Sequence, residues 1–202
     1  MKIFMAKDAG YCFGVRDAVN LAYDTAEKNG DVYMLGHIVH NENVVKDLDT
    51  AGAKVINSLE DIPNNNPILF RAHGTTVETW NDAKAKHINI VDATCPLVLE
   101  IHAEVKKLEA EGRTIIIIGD HGHDEVVGIA SQVKDAIIVS SPDEAKSLRK
   151  MKQAGVVSQS TQTIENVQEI INIIMTKVFD LRFVNTICYP RSEEHTSELQ
   201  SP

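Results

Sequence analysis

No apolar run in this sequence is long enough to cross a membrane; the longest, around Thr114–Ile118, is the size of one strand. Nor does the N-terminus, MKIFMAKDAGYCFGV, hold a long apolar stretch before Asp8, so no secretory signal is read and cytoplasmic placement is expected. Basic residues are outnumbered: 20 Lys+Arg stand against 29 Asp+Glu, a net charge of −9. That excludes a broad nucleic-acid surface but leaves room for a local cationic pocket that takes a small anion. Cysteine is scarce, and the three present cannot all pair within one chain. They also stand too far apart for a CxxC zinc knuckle or a ferredoxin-type run. No GxGxxG follows a strand and no flavin-type signature occurs, so any redox chemistry must draw its electrons from a partner. Residues 1–190 hold no low-complexity segment. With 43% apolar and 24% charged residues, the composition excludes collagen-like, coiled-coil and disordered classes. A chain of 202 residues fits one to two domains.

The last residues break from the rest. Arg191–Pro202 reads RSEEHTSELQSP, polar apart from Leu199 and without periodicity. It resembles the translation of a sequencing-library adapter, so 191–202 is expected to be a non-native tail, and His195 inherits no role.

Upstream, strand-like and helix-like segments alternate. Short β-branched runs fall at Lys2–Ala6, Val32–Leu35, Lys54–Ile56, Ile68–Arg71, Ile88–Asp92, Thr114–Gly119, Ala136–Ser140, Gly155–Ser158 and Arg182–Thr186. Helical spacing puts Val15, Ala18, Val19, Ala22 and Ala26 on one face of Val15–Lys28. The same spacing recurs over Leu97–Ala110 and Ile164–Val178. Pro63–Pro67 and Ser141–Pro142 read as turns. Strands alternating with amphipathic helices predict an α/β fold with parallel sheets covered by helices.

The cysteines obey a regularity of their own. Cys12, Cys95 and Cys188 stand 83 and 93 positions apart, each after a predicted strand. A chain of similar αβ modules, each delivering one cysteine from a strand's carboxyl end, would give this pattern. His37, His40, His73, His121, His123, Glu125, Ser158, Ser160 and Thr161 also follow strands. Ligands bind beyond the carboxyl ends of strands in open parallel sheets, so these clusters point to one shared site. His87 and His102, on helical or linker positions, read as structural. Three dispersed thiolates with a vacant fourth position suit a metal centre that binds substrate. An iron–sulfur cubane with one open iron, a zinc site with Glu125 as hydrolytic base, and a metal-free cysteine nucleophile paired with His123 are all compatible with the spacing.

The motifs are more specific. Gly10-Tyr11-Cys12-Phe13-Gly14-Val15, Val39-His40-Asn41, Arg71-Ala72-His73-Gly74, Asp92-Ala93-Thr94-Cys95-Pro96, Gly122-His123-Asp124-Glu125-Val126 and Asn185-Thr186-Ile187-Cys188 together resemble the 4-hydroxy-3-methylbut-2-enyl diphosphate reductase family, also called LytB. The resemblance runs from Met1 to Cys188 in the family's order. It implies reductive dehydroxylation of an allylic diphosphate alcohol to isopentenyl and dimethylallyl diphosphates, the last step of the non-mevalonate isoprenoid pathway. It implies a cloverleaf of αβ modules with small parallel sheets around a central 4Fe–4S cluster, and an external electron donor such as ferredoxin or flavodoxin. Cys12, Cys95 and Cys188 match the cluster ligands, Glu125 the proton donor, and His40, His73 and His123 the substrate-binding histidines. Ser160 stands where the family has the first of two threonines, keeping a hydroxyl for the substrate alcohol or Glu125. His121 matches no assigned role. On the resemblance, 1–95 forms a first module, 96–180 a second, and 181–190 the start of a third that is cut short. The chain as written is therefore expected to pack loosely, hold a cluster weakly and lack reductase turnover.

Overall fold

The computed structural model describes residues 11–39, 41–63 and 66–188. The segments Lys2–Ala6 and 191–202 lie outside them. Two four-stranded parallel sheets organise the rest. The first contains β1 (Val32–Leu35), β2 (Ala53–Ile56), β3 (Ile68–Phe70) and β4 (Ile90–Asp92), in the order β2-β1-β3-β4. The second contains β5 (Thr114–Ile118), β6 (Ala136–Val139), β7 (Met151–Ser158) and β8 (Val178–Phe183), in the order β6-β5-β7-β8. The two orders are the same topology used twice. Both sheets agree with the α/β expectation.

Helices cover the strands on the faces that their spacing predicts. In α1 (Phe13–Asn29) the buried positions include Ala18, Val19, Ala22 and Ala26. In α4 (Pro96–Ala110) they include Val98, Ile101, Val105 and Leu108, which pack on Ile115 and Ile117 of β5. Ile115 to Ile118 are all buried because β5 is covered on both faces, which is why the run is continuously apolar rather than alternating. Across the first sheet, Trp80 of α3 (Val77–Ala85) meets Phe70 edge-on, with ring centroids 5.1 Å apart.

Several boundaries differ from the sequence reading, each for a local reason. The helix expected over Ile164–Val178 is α7 (Ile164–Ile174); Val178 instead opens β8, in register with Met151 of β7. The strand expected at Arg182–Thr186 accordingly starts at Val178 and ends at Phe183, as the edge of the second sheet. Beyond it the Thr186 hydroxyl, not a backbone carbonyl, takes the Ser158 N–H at 2.8 Å, so the ladder stops. Ser141–Pro142 is not a free turn but the start of α6 (Pro142–Ser147): Ser141 caps it and Pro142 takes the first helical position, where no N–H is needed. Two further short helices, α2 (Glu42–Thr50) and α5 (Asp124–Ala130), start at caps from Asn41 and His123. Among the described residues no helix is long and apolar enough to cross a membrane.

Candidate functional site

The segments that follow β3, β4, β5, β7 and β8 converge with the start of α1 on one cavity. Its wall carries Cys12, Cys95, Cys188, His73, Glu125 and Ser160, closed by Gly14, Val15, Ala72, Leu97 and Val98. All three cysteines are half-buried, and none forms a disulfide among the described residues. Two of them stand at helix starts: Cys12 is the N-cap of α1 and Cys95 the N-cap of α4, where Pro96 fixes the first turn. The chain fastens the other ends of the site with main-chain bonds. Cys95 N–H donates to the Ala72 carbonyl at 3.0 Å, and Cys188 N–H donates to the Ser160 carbonyl at 2.8 Å.

Gly14 is needed for this approach. A Cβ there would lie 2.6 Å from Cys95 Sγ, closer than any real side chain tolerates, so only glycine lets α1 reach the second cysteine. Burial pushes the Cys95 thiol above its ordinary pKa, partly offset by the N–H groups of Leu97 and Val98 that face it. A bound cation is what such a thiol needs in order to ionise.

Glu125 sits in the first turn of α5, almost wholly buried at 1% exposure. A buried carboxylate requires partners, and both of its oxygens have them. Ser160 N–H donates to Oε1 at 2.6 Å and the Ser160 hydroxyl donates to Oε2 at 2.8 Å. Ser160 thus orients the carboxyl toward the thiols. The Glu125 N–H donates to His123 Nδ1 at 3.2 Å, which leaves the neutral ring's proton on Nε2. His123 does not line the cavity; its ring packs edge-on against His73 at 5.8 Å.

Of the residues singled out by sequence, the structure brings Cys12, Cys95, Cys188, His73, Glu125 and Ser160 together, with His123 beside them. His40 lies outside the described residues. His37 is exposed and lines a separate groove with Glu42, Lys46 and Asp49. His121 turns outward to Glu144 at 3.0 Å. Sequence reading missed three contributors. Thr186 bonds both the N–H and the carbonyl of Ser158, steering the chain toward Cys188. Arg71 reaches from the end of β3 to Asp124, Nη1 to Oδ2 at 2.9 Å, joining the first sheet to the start of α5. His102 is buried behind the site. Thr186 and Arg71 stood inside recognisable motifs, but nothing local assigned their partners.

A mononuclear zinc needs its ligands converging within about 2.3 Å of one point. Among the described residues no three His, Cys, Asp or Glu side chains form such a group. Three cysteines on one cavity wall can each give one thiolate to a metal group.

The chain is similar to known proteins in sequence and in fold. The profile of the LytB protein family matches residues 3–200. The curated 4-hydroxy-3-methylbut-2-enyl diphosphate reductase of Geobacter sulfurreducens is 40% identical over 189 residues, covering 93% of this chain and 67% of that protein. The reductase of Geotalea uraniireducens is 37% identical over 204 residues, covering all of this chain and 72% of the relative. Among solved structures, the reductase from Plasmodium falciparum superposes with a TM-score of 0.88 at 29% identity, over 94% of this chain and 62% of that one. A second structure, described as the terminal enzyme of the non-mevalonate pathway, gives 0.86 at 31% identity over 98% of this chain and 72% of the other. The chain thus spans about two thirds of the length of these proteins.

Proposed function

This chain belongs to the LytB protein family, and from that premise we propose that it performs the reductive dehydroxylation of (E)-4-hydroxy-3-methylbut-2-enyl diphosphate, giving isopentenyl and dimethylallyl diphosphates. The observation that carries the reading is the convergence of three cysteines and a Ser160-bound Glu125 on one cavity. Cys12, Cys95 and Cys188 would each give one thiolate to a 4Fe–4S cluster. When bound, that cluster supplies a Lewis-acidic open iron for the substrate hydroxyl and a route for electrons from an external donor such as ferredoxin or flavodoxin. Three cysteines that form no disulfide among the described residues suit a reducing compartment, the cytoplasm.

The protein's own groups do the rest. Hydroxide leaves poorly, so Glu125 provides a proton at its carboxyl oxygen to let it depart as water. The Ser160 hydroxyl, donating to that carboxyl at 2.8 Å, orients it. His123 Nε2–H, His73 and His40 serve as donors to the diphosphate oxygens. Leu97, Val98 and Val15 supply an apolar wall that limits water around the reacting carbon. We read 1–95 and 96–180 as two modules and 181–190 as the start of a third, with β8 (Val178–Phe183) straddling the second boundary as the edge of the second sheet.

Extended at its carboxyl end to the length of its relatives and prepared anaerobically, the protein should give a brown solution with stoichiometric iron and sulfide. Added substrate and a reduced donor should yield the two diphosphate products. A colourless, zinc-containing protein without iron would overturn the reading in favour of hydrolytic chemistry.

A further inference from the structure

Behind the site, α5 carries a glycine in its interior where alanine would be a better helix former by about 1 kcal/mol. At Gly128 there is no steric need for it. A Cβ built there meets its nearest neighbours at ordinary contact distance: Thr75 O at 3.6 Å, His102 Nε2 at 3.8 Å and His73 O at 3.8 Å. All three neighbours are polar. A methyl group would fit the space and bond none of them.

One of the three has a particular need. His102, on α4, is 8% exposed, and its Nε2 is buried with no hydrogen-bond partner among the described residues. A buried ring nitrogen without a partner is costly, and its usual remedy is an ordered water with two to four polar contacts. The three atoms around the Gly128 niche lie within an ångström of hydrogen-bond length from the methyl position, which is the spacing that a water set slightly farther out can exploit.

We propose that this niche is a buried water site and that His102 is a positioning residue for His73. The water accepts from His102 Nε2–H and donates its two hydrogens to the carbonyls of His73 and Thr75. Gly128 keeps the space open. The same helix turn is tied from the other side: Ser131 donates to the Gly128 carbonyl at 2.7 Å and accepts the Val77 N–H at 3.2 Å. The His73–Val77 segment is thereby held at both ends against α5, the helix whose first turn carries Glu125. His102 acts on the cavity only through this backbone, at one remove from anything that reacts.

The inference deepens the proposed function, yet its test uses no turnover and so can fail separately from that reading. Crystal structures at a resolution that shows ordered water would be compared for the unaltered protein, His102→Leu, His102→Gln and Gly128→Ala. In the same four proteins the imidazole resonances of His73 would be followed by nuclear magnetic resonance. The expected result is a water bonded to all three atoms in the unaltered protein and lost in His102→Leu and Gly128→Ala. His73 should shift in both variants and return toward its original position in His102→Gln, whose amide can restore the donor. Gly128→Ala leaves the imidazole in place, so it answers the question even if His102→Leu fails to fold. A niche without water in the unaltered protein overturns the site. Unmoved His73 resonances in Gly128→Ala overturn the positioning role.

Discussion

Glu125 is nearly excluded from solvent yet has its two oxygens satisfied by a single residue, Ser160, through main chain and side chain. Replacing Glu125 by Gln keeps the size and part of the bonding but removes the transferable proton. In the protein extended to the length of its relatives, turnover is expected to fall about 10²–10⁴-fold with little change in substrate affinity, read from kcat against KM. The three cysteines make an equally sharp statement. In the protein extended to the length of its relatives, each Cys→Ser variant at 12, 95 or 188 should lose most of its iron and sulfide after anaerobic reconstitution. Full iron retention in all three variants would show that they do not share one centre.

Cys188 owes its placement to the end of an element. Once β8 stops at Phe183, the chain is steered by Thr186, whose hydroxyl both takes the Ser158 N–H and donates to the Ser158 carbonyl. Ser158 is wholly buried, so Thr186→Val strands a polar group and should cost about 1–3 kcal/mol in denaturant unfolding. It should also weaken iron retention, because Cys188 lies two residues on. At the same level the sequence was readable where periodicity was strong and misleading where it was not. The buried faces of α1 and α4 follow from apolar spacing alone. The end of α7 does not, because Val178 extends an apolar pattern that suits a helix and a strand alike. Pairing with Met151 decides in favour of the strand.

Across the whole molecule, one ion pair joins the halves of the site. Arg71, largely buried, pairs with the more exposed Asp124. A double-mutant cycle on Arg71→Met and Asp124→Asn should give a coupling of only about 0.2–1 kcal/mol, since one partner faces solvent. His102 has the larger influence on pH. Burial, with Lys106 adding and Asp92 opposing, lowers its pKa from the ordinary 6.5 to about 4. The folded protein therefore resists a proton that the unfolded chain accepts. Its contribution leaves stability flat above pH 6.5 and takes away roughly 3 kcal/mol as pH falls through 6.5 to 4. Unfolding measured across that range should show a shallower loss in His102→Phe; an unchanged slope would assign the acid sensitivity elsewhere.

By itself the sequence determined the alternation of strands and helices, the faces those helices bury, and the recurrence of chemically capable residues just past strand ends. These are local properties, set by periods of two and 3.6 residues and by motifs a few positions long. Only the tertiary structure decided which of those residues meet. It turned His37 and His121 outward, set Ser160 on Glu125 across 35 positions, and buried His102 behind the loop of His73. Such pairings depend on how two sheets pack and on which buried polar atoms must be satisfied, and neither is written in any short stretch of chain.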